Sequence, residues 1–170
     1  MSMLHGWENF FVTAAQSGAA LIGLLFVSVT VGTGFSTAKM VKGTKAFLTP
    51  TLIHFAGVLF LSMAMLAPWS TPWPLGAILG LAGLLGIVYQ GVVVGERRDM
   101  ELVKMSWAEW IPYVVIPVVG NGTLIAGSMT LFANKSFAPF IIAAGIVTLL
   151  LSGILGAWDL TLWLARNRNG

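Results

Sequence analysis

The sequence has no cysteine in 170 residues. Disulfides, thiolate metal sites and cysteine nucleophiles are therefore excluded. Charge is scarce as well. Asp, Glu, Lys and Arg make up 9% of the chain, against about 25% in a typical soluble domain. That deficit leaves too little polar surface to coat a water-soluble globule. There are only two histidines, and no HExxH, Gly-x-Ser-x-Gly, P-loop or paired intramembrane aspartates. A membrane enzyme needs several convergent titratable groups, so catalysis is not expected. The stretch before the first apolar run, residues 1–9, lacks Lys and Arg and carries Glu8, which does not fit a cleavable signal peptide.

What the chain has in abundance is apolar sequence: 57% hydrophobic residues and a mean hydropathy of +0.89. Five runs, at about 10–31, 47–67, 75–95, 111–132 and 137–163, each reach the roughly 20 residues that cross a bilayer as a helix. They use most of the chain, so residues 1–170 read as a single transmembrane domain. The fold class is an all-α membrane protein, a bundle of five transmembrane helices. Alternating the connections puts Lys39, Lys42, Lys45, Arg97, Arg98, Lys104, Arg166 and Arg168 on one side and Lys135 alone on the other. The cation-rich side is cytoplasmic, which places the N-terminus outside and the C-terminus inside. The net charge of +3 then reflects orientation and contact with anionic headgroups of the lipid bilayer, not nucleic-acid binding.

Small residues mark candidate packing faces. Ala15, Ala19 and Gly23 recur every four residues in span one, and Gly76/Gly80 and Gly91/Gly95 form GxxxG pairs in span three. Such faces let helices approach closely, and span three is expected to be sandwiched between neighbours. Pro50 is placed in the first turn of span two, after a basic loop holding Lys39 to Lys45. The proline-rich connection 68–74 predicts a tight antiparallel hairpin of spans two and three. Met100, Val103, Trp107 and Trp110 have helical spacing. They predict a cytoplasmic amphipathic segment over 96–110, either lying on the membrane or extending span three.

Polar side chains at membrane depth are the default place to look for function. His54, Gln90, Asn121, Ser152 and Asp159 are the pathway or gating candidates. Ser152 belongs to a seam with Gly145, Thr148, Gly156, Asp159 and Trp163, and His54 shares a face with Thr51, Val58 and Ser62. Opposed, two such faces would line a hydrated path, or simply pack. Asn121 is also suited to satisfy the carbonyl released by Pro117, and Asp159 to pair with Arg166. No metal or other cofactor is expected. A minor alternative is an outer-face copper site drawing on His5 with Met1, Met3, Met63, Met65 and Met129, since thioethers and imidazole suit Cu(I).

The segment Trp7-Glu8-Asn9-Phe10-Phe11-Val12, followed by Ala19-Ala20-Leu21-Ile22-Gly23-Leu24-Leu25-Phe26-Val27, resembles a group of small bacterial integral membrane proteins. That group shares a Trp-acid-x-Phe-Phe start and an Ala-Ala-x-x-Gly-Leu-x-Phe-Val core. The resemblance covers about the first 30 residues. It implies a multi-pass protein of the bacterial cytoplasmic (inner) membrane. Some members carry the label of modulator of a membrane-anchored AAA protease, and the group brings no catalytic residues. Two functions follow as expectations: a homo-oligomeric channel or pore for ions or small solutes, or a non-catalytic accessory subunit that meets a membrane partner through 96–110.

Overall fold

The computed structural model describes residues 4–32, 38–99 and 111–167. Among these the chain is all-helical and contains five helices long and apolar enough to cross a membrane. They are α1 (Glu8–Gly32), α2 (Ala38–Leu66), α3 (Pro72–Asp99), α4 (Ile116–Phe132) and α5 (Ala138–Asn167). A π-helical turn, Ile111–Val115, leads into α4.

Local chemistry explains several helix ends. Glu8 opens α1 and its carboxylate accepts from the Gly6 amide at 2.7 Å; an acid belongs at the positive end of the helix. Pro72 starts α3, where its missing N–H costs nothing. The last turn of α2 is capped from outside, with Trp69 Nε1 donating to the Ala64 carbonyl at 2.7 Å. α4 ends in a Schellman motif. Asn134 takes φ +51°, Lys135 N donates to Thr130 O, and Asn134 N donates to Leu131 O, both at 3.0 Å. Asn tolerates the left-handed conformation that this motif needs.

One expectation about helix limits is corrected, and one left open is narrowed. Residues 38–47 are helical backbone of α2, so Lys39, Lys42 and Lys45 stand on a helix and not in a loop, and Pro50 lies inside α2. α3 continues as helix through Glu96 to Asp99, which extends span three beyond its apolar part. The remainder of the amphipathic segment, with Met100, Val103, Trp107 and Trp110, lies outside the described residues.

Packing follows a row rather than the order of the chain. α4 lies between α3 and α5, α5 between α4 and α2, and α1 covers α2. α2 and α3, although joined by only 67–71, touch little. The expected tight hairpin is therefore splayed: α3 finds its closest fit on α4. The fit is glycine on side chain. A Cβ at Gly76 would lie 2.4 Å from Phe132, one at Gly80 3.0 Å from Ser128 Oγ, and one at Gly83 2.8 Å from the Asn121 carbonyl. Ser128 Oγ seals the contact by donating to the Gly76 carbonyl at 2.7 Å. Helices in lipid gain no hydrophobic drive toward one another, so close backbone approach and such bonds decide the partner.

The glycines thus serve one neighbour, and α3 is an edge helix, not a sandwiched one. Gly91 and Gly95 are exposed, with open space where a Cβ would point. On α1, Ala15 is buried but Ala19 and Gly23 face outward. The face that packs is Phe11, Ala14, Gly18 and Leu25, with Gly18 placed where a Cβ would be 3.0 Å from the Phe55 carbonyl. Spacing of small residues alone had pointed one position too far round the helix.

One end of the bundle, next to Trp69, is filled by Phe11, Leu61, Leu75, Leu79, Leu131, Ile142 and their neighbours. Trp7 meets Phe140 edge-on, with ring centroids 4.6 Å apart. Toward the opposite end, near Asp159, a smaller apolar cluster of Leu25, Phe55, Leu160 and Leu164 joins α1, α2 and α5. The polar residues occupy the rest of that end.

Candidate functional site

The deep polar side chains converge at the Asp159 end. Thr51 and His54 come from α2, Gln90 from α3, Tyr113 from the π-helical turn, Asn121 from α4, and Ser152 and Asp159 from α5. Thr51, Gln90, Asn121 and Ser152 are buried, and His54, Tyr113 and Asp159 half-buried. The facing seams of α2 and α5 do meet. Ser152 Oγ lies 3.5 Å from His54 Nδ1, and a Cβ at Gly156 would fall 2.5 Å from Thr51 Oγ1. What remains between them is a hollow of about 20 Å³, bordered also by Pro50, Gln90, Pro112 and Pro117. That is room for about one water molecule.

Prolines explain why polar groups gather here. Pro117 has no N–H for the carbonyl four residues earlier, that of Tyr113. The backbone before it widens into the π-helical turn Ile111–Val115, as a broken i→i−4 ladder allows. Gln90 Nε2 donates to that Tyr113 carbonyl across the helix interface. The expected repair by Asn121 is corrected accordingly. Asn121 Nδ2 donates to the carbonyl of Pro117 itself, at 2.8 Å, one turn further along. Its amide is held there because Gly86 faces it: a Cβ at Gly86 would be 2.0 Å from Asn121 Oδ1.

Asp159 accepts a hydrogen bond from the Tyr113 hydroxyl. That bond ties the start of the fourth span to α5. Tyr113 was not among the candidates drawn from the sequence. Its signal was available: it stands four residues before Pro117. The expected partner Arg166, like the side chains of Glu96 and Trp163, lies outside the described side chains.

Comparison with protein-family models, curated proteins and solved structures gave no match for this chain. The site is therefore interpreted on its geometry.

The methionines do not converge. Met65 is buried and borders a cavity of about 380 Å³ with His5, Glu8 and Trp69. Met63 and Met129 are 58% and 65% exposed on the outer surface. Met63 and Met65 stand two residues apart on one helix, which puts them on different faces. His5 Nδ1 is 3.5 Å from Glu8 Oε1, and no group of three His, Asp or Glu able to hold a metal occurs among the described residues. Met1 and Met3 lie outside those residues.

Proposed function

We propose that the chain is a non-catalytic accessory subunit of a larger assembly in a bacterial cytoplasmic membrane, with the N-terminus outside and the Asp159 end inside. The observation that carries this reading is how the deep polar side chains are used. Gln90, Asn121, Tyr113 and Asp159 bond to one another or to backbone carbonyls around Pro117. Toward the Trp69 end, fully buried Val58, Leu61, Leu124 and Ile146 follow. A conducting path needs polar groups that remain available to the permeant, and Gln90 Nε2, Asn121 Nδ2 and the Tyr113 hydroxyl are already engaged. The distribution of cations, eight against one, supports the orientation. The outer face of α3, with Leu84, Val88 and Val92 exposed, offers a membrane partner an apolar surface, and α3 runs on to Asp99 toward the segment suited to a partner contact. The resemblance of residues 7–29 to small bacterial membrane proteins agrees with this role.

A homo-oligomeric channel is the second reading, favoured by the open glycines. Gly23, Gly91 and Gly95 leave empty space on the outer surface, where a second copy can approach closely and build a path on a symmetry axis. Ion flux in proteoliposomes separates the two. Measured at about pH 5.5 and about pH 7.5, across the ordinary titration range of histidine, the folded wild type should carry no more K⁺, Na⁺, Cl⁻ or H⁺ than protein-free vesicles. Flux that changes with pH in the wild type and not in His54→Ala would overturn the accessory reading.

A further inference from the structure

The splay of α2 and α3 leaves a groove between two helices that follow each other in the chain. Its volume is about 290 Å³. Phe60 on α2 and Leu85 on α3 stand at its sides, 59% and 57% exposed, so the groove opens to the surface that faces lipid. Gly57 and Gly86 border it. A Cβ at Gly57 would meet nothing within 4 Å, so the hollow exists in part because that position has no side chain.

The groove is not purely apolar. His54 and Asn121 both border it. His54 also borders the small polar hollow on its other side, so the imidazole forms a wall shared by the two. Nδ1 is the ring nitrogen next to Ser152; Nε2 has no hydrogen-bond partner among the described residues. The Asn121 Nδ2 is committed to the Pro117 carbonyl, and the amide oxygen is the acceptor left at this depth. Two further features narrow the occupant. Among the described residues no Lys, Arg, Asp or Glu borders the groove, so these residues offer a phosphate or ammonium headgroup no counter-charge at this depth. Phe60 and Tyr89 both border it, and aromatic side chains suit a flat group.

We propose that the groove between α2 and α3 binds a neutral membrane lipid with a flat, carbonyl-bearing head, of the quinone class. The head lies between Phe60 and Tyr89 with a carbonyl accepting from His54, and the alkyl tail runs out over Leu85 into the bilayer. This goes beyond the accessory role and does not depend on it. No electron transfer is part of the assignment: the groove is a binding site.

The test uses the full chain in phosphatidylcholine nanodiscs with a photoreactive decyl-benzoquinone as probe. Saturable labelling is expected in residues 53–60 and 82–89, displaced by excess decyl-benzoquinone and not by added phospholipid or oleate. Gly57→Leu puts a side chain into the open space where the Cβ meets nothing within 4 Å and should abolish the labelling. Gly23→Leu, at an equally open glycine on α1, should leave it intact. His54→Phe should weaken binding about fivefold, the loss of one hydrogen bond. Labelling spread along all the outward faces, or displaced equally by phospholipid, would overturn the proposal in favour of ordinary lipid contact. Absence of labelling, with Gly57→Leu instead dissociating a dimer, would overturn it in favour of a second copy in the groove. Should Gly57→Leu fail to fold, the displacement profile of the wild type decides alone.

Discussion

Near Trp69 the five helices meet through aliphatic and aromatic side chains and glycines; near Asp159, α2, α3, α5 and the turn before α4 meet through Thr51, Gln90, Tyr113, Ser152 and Asp159. The difference follows the prolines. Pro50, Pro112 and Pro117 all border the polar hollow, whereas the prolines of the Trp69 end sit in connections or at helix starts. A proline inside a membrane helix leaves a carbonyl that lipid cannot satisfy. The Asp159 half therefore needs donors from other helices, and the Trp69 half relies mainly on shape, with the Ser128 hydroxyl on the Gly76 carbonyl added. Polar residues deep in a membrane protein can thus serve the backbone and need not line a path.

The largest effect is expected in the apolar core of the Trp69 half. Leu124 is fully buried in the Trp69-side core, and Leu124→Ala should lower unfolding free energy by about 2–4 kcal/mol, the range for a cavity that cannot collapse. Equilibrium unfolding in mixed micelles measures it. A loss below that of any polar substitution would reverse the ranking of the two halves.

Next comes the tie between Tyr113 and Asp159. A double-mutant cycle of Tyr113→Phe and Asp159→Leu should give a coupling between about 0.6 and 1.7 kcal/mol, the range for interhelical bonds in membranes. Strict additivity would show that the bond is not formed in the folded protein.

The third prediction addresses cause. Gln90→Leu should destabilise the wild type by about 1 kcal/mol, because the Tyr113 carbonyl loses its donor from α3. In a Pro117→Ala background, a backbone N–H returns to that carbonyl, and the same substitution should cost close to nothing. Equal costs in both backgrounds would break the link between proline and polar cluster.

The smallest effect has the opposite sign. Ser62 Oγ is buried with no hydrogen-bond partner among the described residues. Ser62→Ala removes an unsatisfied hydroxyl and should leave stability unchanged or raise it by about 0.5 kcal/mol. A clear loss in the same unfolding assay would reveal a partner for Ser62 and make the Trp69 half less dry than its neighbours suggest.

Much of the architecture was legible before any coordinates. The five apolar runs correspond closely to the five helices, because run length and hydropathy are local properties that a bilayer reads directly. Counting along the helices puts His54, Gln90, Glu96 and Asp159 toward one end of their spans, Asn121 nearer the middle of its own and Ser152 in the seam of the fifth. Their partners were not legible. Asn121 was matched to the wrong carbonyl, and Tyr113 was passed over, since a freed carbonyl can be claimed from any neighbouring helix. The packing face of α1 was misplaced for a similar reason. Small residues at 15, 19 and 23 show where a helix can approach, not where one does.

By itself, then, the sequence determined the number of apolar helices and the approximate extent of each apolar run, because these depend on composition and the 1.5 Å rise of a helix. The tertiary structure alone decided the row in which the helices stand. With no hydrophobic force sorting apolar helices in lipid, neighbours are chosen by the fit of Gly76, Gly80 and Gly83 against α4 and of Gly153 and Gly156 against α2 and by the bonds that repair Pro117. That choice parted α2 from α3, and with it opened the groove beside His54.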